Sequence, residues 1–181
     1  MNLQANGWLA GIDRTPSPNC DERPDPEDID LLVIHSISLP PGVFGGDEVE
    51  AFFQNRLDPE AHPYFQEIAK LQVSSHLFIR RNGHAQQFVP FHRRAWHAGL
   101  SCFDGREKCN DYSIGIELEG TDDASFTAAQ YRTLADLTAK IRALYPAITA
   151  DRIIGHSDIA PGRKTDPGPG FNWERYRNLL S

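Results

Sequence analysis

The stretch Leu31-Leu32-Val33-Ile34-His35 is an unbroken apolar run closed by a histidine. A run this short reads as a buried strand. Arg152-Ile153-Ile154-Gly155 repeats the form and is followed by His156. Tyr112 to Leu118 alternates, which places Ile114, Ile116 and Leu118 on one face of a third strand. His76 to Arg80 and Ala85 to Val89 flank Asn82-Gly83. That pairing predicts a hairpin with a type I′ turn, which needs positive φ at both central residues.

Helices separate these strands. Asp47 to Leu57 and His62 to Leu71 read as short helices with proline at a start or flank. The clearest helix begins at Thr127, where Thr127 and Gln130 form a capping box and Phe126 and Tyr131 occupy the staple positions. Leu134, Leu137, Ile141 and Leu144 follow at helical spacing, and Pro146 closes the run. Trp173 to Leu180 reads as a terminal helix, and PGRKTDPGPG at 161–170 as a loop. Residues 13–30, rich in Pro, Asp and Glu, read as an irregular surface arm. Interleaved strands and helices predict an α/β or α+β fold, a sheet with helices packed on it. A chain of 181 residues suits one full core. It carries no internal repeat or low-complexity linker, so 1–181 is read as one domain with its core at 30–178.

The net charge of −7 argues against nucleic acid or an anionic membrane as the main partner, since both require a basic face. The opening MNLQANGWLAGIDR has no basic n-region and no apolar run of signal length. No stretch approaches the roughly 18 apolar residues of a membrane helix. Cys20, Cys102 and Cys109 are odd in number and form no CxxC pair. A soluble protein of a reducing, cytoplasmic compartment is the expectation.

His35 and His156 each follow a strand, and strand ends open onto a sheet rim where sites are built. Asp166 lies ten residues beyond His156, in the Pro/Gly-rich loop. Two imidazoles and a carboxylate leave a fourth metal position open, the pattern of catalytic zinc, whose bound water is acidified towards neutral pH. Spacing leaves other readings open, because a strand-end histidine is more often structural. His156-Ser157-Asp158 is an H-x-D that suits a non-haem iron triad, though that motif usually takes a later histidine and none follows here. Asp166 is therefore the preferred third ligand.

Glu117 points away from the apolar face of its strand, and Gly115 on its own face leaves room for substrate or water. It suits a general base; the alternative is a solvent-facing strand glutamate, as for Glu119. Lys164 stands two residues before Asp166, where a cation stabilises an oxyanion unless it is a solvated loop lysine. Arg80, Arg81, Arg93, Arg94, Arg106 and Lys108 surround Trp96 in sequence. They suit a basic pocket with an aromatic wall for an acidic, sugar-bearing ligand, or edge charge that blocks aggregation. His62, His76, His84, His92 and His97 read as structural. Nothing marks Cys102 or Cys109 as an activated partner for His97.

Three segments, LLVIHSISLPPGVFGG (31–46), RAWHAGLSCFDGREKCNDYSIGIELEGTD (94–122) and GHSDIAPGRKTDPGPGFNW (155–173), carry a resemblance. The chain resembles the AmpD-type 1,6-anhydro-N-acetylmuramyl-L-alanine amidases of bacterial cell-wall recycling, from about Trp8 to Tyr176. More distantly it is similar to peptidoglycan recognition proteins and phage amidases. The resemblance implies a central mixed sheet flanked by helices and one zinc ion, and a monomer is the expected state. It implies His35, His156 and Asp166 as ligands, Glu117 as proton acceptor and Lys164 as transition-state stabiliser. Ser36, Trp96, His97, Arg106 and Lys108 become the implied substrate contacts. The implied substrate is a small cytoplasmic anhydro-muropeptide, cut between the muramyl lactyl group and L-alanine, with an indirect effect on β-lactamase induction. Ser36 stands where asparagine is expected, Ser157-Asp158 replaces a frequent Cys-Asn, and Gln72 and Lys108 stand where arginine is common. A non-hydrolysing binding module of the same fold is the rival reading. A full ligand set with a base favours the enzyme.

Overall fold

The computed structural model describes residues 7–180. Its elements run β1 (Asp13–Arg14), β2 (Cys20–Glu22), β3 (Leu31–Ile37), α1 (Glu48–Phe53), α2 (Pro63–Ile68), β4 (Leu77–Ile79), β5 (Ala85–Gln87) and β6 (Arg93–Ala95). There follow β7 (Cys102–Phe103), β8 (Arg106–Glu107), β9 (Ser113–Glu119), α3 (Ala128–Leu144), β10 (Ile153–Gly155), α4 (His156–Ile159) and α5 (Trp173–Asn178). The main sheet has the order β1-β5-β4-β9-β3-β10. Only β4 and β5 run antiparallel within it, so the sheet is mixed and the class is α/β.

Strands β3 and β9 are its two longest and pair in parallel register from Leu31 beside Ser113 to Ile37 beside Glu119. Side chains alternate along a strand, so each contributes to both faces. Leu32 and Ile34 join Ile114, Ile116 and Leu118 in a core with Leu134, Leu137 and Ile141 of α3 and Tyr176 of α5. Leu31 and Val33 fall into a separate cluster with Ala98, Tyr112 and Ile159. Phe78 of β4 packs with Phe52 and Phe53 of α1 and Phe65 of α2. Burial on both faces is why the 31–34 run is apolar without alternation.

The capping box of α3 is formed: Gln130 N–H donates to Thr127 Oγ1 at 3.1 Å and Thr127 N–H to Gln130 Oε1 at 3.0 Å. Leu144, expected on the buried stripe, is 38% exposed at the last turn. The two early helices are shorter than predicted. His62 caps α2, its Nδ1 accepting from Tyr64 N–H. The hairpin forms with a different turn. Gly83 N–H donates to Arg80 C=O, Arg80 N–H donates to His84 C=O, and of the Asn82-Gly83 pair only Gly83 has positive φ. This is a three-residue connection with glycine in the left-handed position, not type I′.

The 13–30 arm is more than a surface strap. It supplies β1 to the main sheet and pairs β2 with β6. Its Arg23 is buried and donates to the carbonyls of Phe91, Asn110, Asp111 and Ser113. Burial pulls that guanidinium down to about 10.

Candidate active site

The β3–β9 register sets His35 beside Glu117 on adjacent strands, so both side chains leave the same face. Gly155 of β10 lies beside Ile34, which brings His156 to the same rim. The 161–170 loop returns to it through two backbone bonds: Ser157 N–H donates to Asp166 C=O, and Gly170 N–H to Asp122 C=O. His35, His156 and Asp166 thereby converge, the donor-atom group lying within 4.8 Å. His35 Nδ1 is 2.9 Å from His156 Nδ1, and each is 3.1 Å from Asp166 Oδ2. Glu117 Oε1 is 4.0 Å from His35 Nδ1, and its other oxygen is buried without a protein partner.

Electrostatics follows from this crowding. Burial, then the neighbouring His156, pulls His35 down to about 4. Burial opposes the charge on Asp166, but Nδ1–H donors and positive charge on His156 and His35, where those rings carry the proton there, outweigh it and hold that carboxyl well below its usual range. Burial, then the negative Asp166, pushes Glu117 well above the ordinary carboxylate value, with Lys164 opposing. His76 and His97 are held far below the usual imidazole value, first by burial and then by Arg23 and His35 respectively. His156 Nε2 lies 3.2 Å from Ala98 C=O. A carbonyl only accepts, so a neutral His156 carries its proton there and presents a bare Nδ1 to the cluster.

The cluster opens into a cleft of about 510 Å³ that also contains Ser36, His97 and Lys164. Its far wall is apolar, from Leu39, Phe52, Tyr64, Ile68 and Val73, and Asp122 and Asp123 border it. A cleft of this size suits a small ligand. Trp96, Arg106 and Lys108 are not brought to it. Trp96 Nε1–H donates to Asp21 Oδ1 at 3.1 Å. Arg106 pairs with Asp28 and lies over the Tyr112 ring at 3.7 Å. Lys108 borders a separate depression with Leu100, Cys102 and Ile159.

The predicted basic pocket does not assemble. Arg93 pairs with Glu22 at 2.7 Å, Arg94 with Asp21 at 2.6 Å and with Asp111, and Arg80 with Asp47 at 3.1 Å. Acids of the arm and of distant segments neutralise these arginines, a pairing that sequence order does not reveal. Asp158, the rival ligand, accepts from Gly155 N–H at 2.8 Å and caps α4. Glu119 is buried, not solvent-facing, and accepts from the backbone of Gly45 and Arg81. The room beside Gly115 is also taken: a Cβ there would lie 2.6 Å from Cγ of His97. Ser113 and Asn110, which hold His97 in place, were not singled out from the sequence. Ser113 shares the period-2 face of Gly115 and Glu117, which was the available signal.

The sheet rim thus carries a buried His-His-Asp cluster able to hold a metal ion, with a glutamate beside it. Residues 25–169 match the family model for N-acetylmuramoyl-L-alanine amidases. The 1,6-anhydro-N-acetylmuramyl-L-alanine amidase AmpD of Escherichia coli K12 is 58% identical over 179 residues, covering 99% of this chain and 97% of that protein. A crystal structure of a selenomethionine AmpD derivative superposes with a TM-score of 0.96 at 57% identity, covering all of both chains. The E. coli amidase AmiD, in complex with the substrate anhydro-N-acetylmuramic acid-L-Ala-D-gamma-Glu-L-Lys, gives 0.61 at 33% identity, over 84% of this chain and 57% of that one. The chain belongs to the N-acetylmuramoyl-L-alanine amidase family and is an enzyme of its AmpD type.

Proposed function

We propose that the chain hydrolyses the amide between the lactyl group of 1,6-anhydro-N-acetylmuramyl sugars and L-alanine, using one zinc ion held by His35, His156 and Asp166. The observation that carries this reading is the triangle of two imidazole nitrogens and a carboxylate oxygen at 2.9–3.1 Å, with Glu117 beside it. The donor set fits the metal. Zinc–ligand bonds of about 2.0–2.1 Å give tetrahedral edges of about 3.3 Å, close to the spacing seen. The bare Nδ1 of His156 directed at His35 and Asp166 also suits a cation between them. When bound, zinc would polarise the scissile carbonyl and lower the pKa of water towards neutrality.

The chain's own groups supply the rest. Glu117 accepts a proton from the attacking water and returns it to the departing amine of L-alanine. The raised Glu117 carboxyl belongs to the metal-free site; a divalent cation beside it favours the ionised form that a base requires. Lys164, exposed on the loop and reaching the cleft, places a positive charge where the carbonyl oxygen becomes negative. Ser36 in the cleft offers a hydroxyl to the substrate. The apolar wall gives the ligand a surface to bury.

The substrate assignment rests on the named relatives, which act on the anhydro sugar or were solved with it. Three cysteines without disulfides agree with work in the reducing cytoplasm, where soluble muropeptides would be the substrate and the chain would act as a monomer. In a host where those muropeptides signal, their hydrolysis would lower β-lactamase induction. Mass spectrometry of products from paired anhydro and reducing-end muropeptides, with and without a chelator, tests the reading. Free L-Ala peptide from the anhydro substrate, lost on chelation and restored by zinc, is expected. Full turnover after complete zinc removal would refute it.

A further inference from the structure

We propose that His97 is a positioning residue for His35, acting through a hydrogen-bond chain that ends on the backbone at Cys109. The inference rests on the zinc-ligand reading above and asks what makes His35 offer the correct nitrogen. His35 faces Asp166 and His156 through Nδ1. That atom can bind a cation only when the ring proton sits on Nε2.

The polarity of the chain follows from its far end. Ser113 Oγ lies 2.5 Å from Cys109 C=O, so the hydroxyl donates there. The same oxygen then accepts from His97 Nε2 at 3.2 Å. A neutral His97 with its proton on Nε2 has a bare Nδ1. That Nδ1 is 2.9 Å from His35 Nε2, which must therefore donate. His35 is left with a bare Nδ1 towards the cluster. Each link is settled by the one behind it, and the last is a carbonyl that cannot reverse.

The protein is built around this ring. Gly115 has no Cβ where the His97 ring sits. Asn110 Oδ1 accepts from both His97 N–H at 3.1 Å and Ala98 N–H at 2.8 Å, which fixes the backbone on either side. The next carbonyl, Ala98 C=O, is the partner of His156 Nε2. One dipeptide thus orients both imidazoles. With both ring nitrogens engaged inside the protein, His97 has none left for substrate, which departs from its expected role as a substrate contact.

The experiment compares the parent with His97→Ala, His97→Asn and Ser113→Ala by chelator-competition zinc affinity and by 15N–1H correlation of the His35 ring in zinc-free protein. The parent should show His35 protonated on Nε2. His97→Ala should mix the tautomers and weaken zinc binding about 10–100-fold, the usual loss when the partner of a ligand histidine is removed. His97→Asn, whose Oδ1 can stand in for Nδ1, should recover most of that affinity. Ser113→Ala removes one oxygen and keeps the packing. It should show the same tautomer mixing to a smaller degree, and it keeps the test decisive if His97→Ala does not fold. An unchanged His35 tautomer and unchanged affinity in Ser113→Ala and in a folded His97 variant would overturn the proposal. His35→Ala binding zinc as tightly as the parent would instead sink the ligand assignment, while the metal-free tautomer would still decide the chain.

Discussion

Glu117 shows how one side chain can be read wrongly from its surroundings alone. Its carboxyl is pushed up by burial and by Asp166, which suits a proton donor, yet the chemistry proposed here starts with a carboxylate. The difference lies in the charge of the neighbouring cluster, negative when empty and positive when a divalent ion is held. Glu117→Gln keeps the shape and removes the proton acceptor. Its turnover should fall by about 10²–10⁴ while zinc content by elemental analysis stays at one per chain; near-normal turnover would remove Glu117 from the role. Lys164→Ala should lose about 10²–10³ in kcat with zinc retained. Activity equal to the parent would leave Lys164 a solvated loop residue, the alternative its exposure allows.

At the level of elements, α3 is the piece whose stability can be tested without disturbing the site. Its stripe closes one sheet face, and the cluster stands on the other. Thr127 both caps the helix and donates to Arg81 C=O at 2.7 Å. Thr127→Ala should cost about 1 kcal/mol from the lost cap. For a chain of this size that is roughly a 2–4 °C fall in Tm. Zinc affinity and kcat per folded molecule should not change. A loss of zinc affinity with an unaltered Tm would mean that the two faces are coupled in a way the packing does not show. The sheet strands and the candidate site residues were legible in the sequence, while the way those residues meet was not. Strand identity is written in local periodicity, whereas the partner across the sheet depends on register.

For the whole molecule, the buried imidazoles make stability depend on pH. His35, His76 and His97 have folded values below the unfolded value of about 6.5. Below that pH the unfolded chain binds more protons than the folded one. Their contribution is therefore complete above about 6.5 and is lost as pH falls, down to about 4 for His35. Each can contribute a slope of up to about 1.4 kcal/mol per pH unit in this window. Glu117, raised in the folded state, acts in the opposite direction above the usual carboxylate value and can offset at most one of the three histidines. The metal-free protein should thus lose stability between pH 6.5 and 5, measured by urea unfolding. A midpoint that holds or rises on acidification would contradict this balance.

The sequence by itself determined the short buried strands at 31–34 and 153–155, the capped helix from Thr127, and the residue types able to hold a metal. These are local properties, set by periodicity and by the chemistry of single side chains. The Asn-Gly pair marked the hairpin but not its turn, because tertiary packing chose a glycine bulge over two left-handed residues. Only the tertiary structure decided which distant groups meet. Strand register put Glu117 beside His35, and two backbone bonds folded the 161–170 loop back until Asp166, not Asp158, met the histidines. It also paired the arginines with acids of the arm and filled the space at Gly115 with His97. Several of these contacts span much of the chain, His35 meeting His97 across 62 positions and Asp166 across 131. Their choice is made by the packing of the whole chain, because no local pattern records which buried charge or ring a given side chain will face.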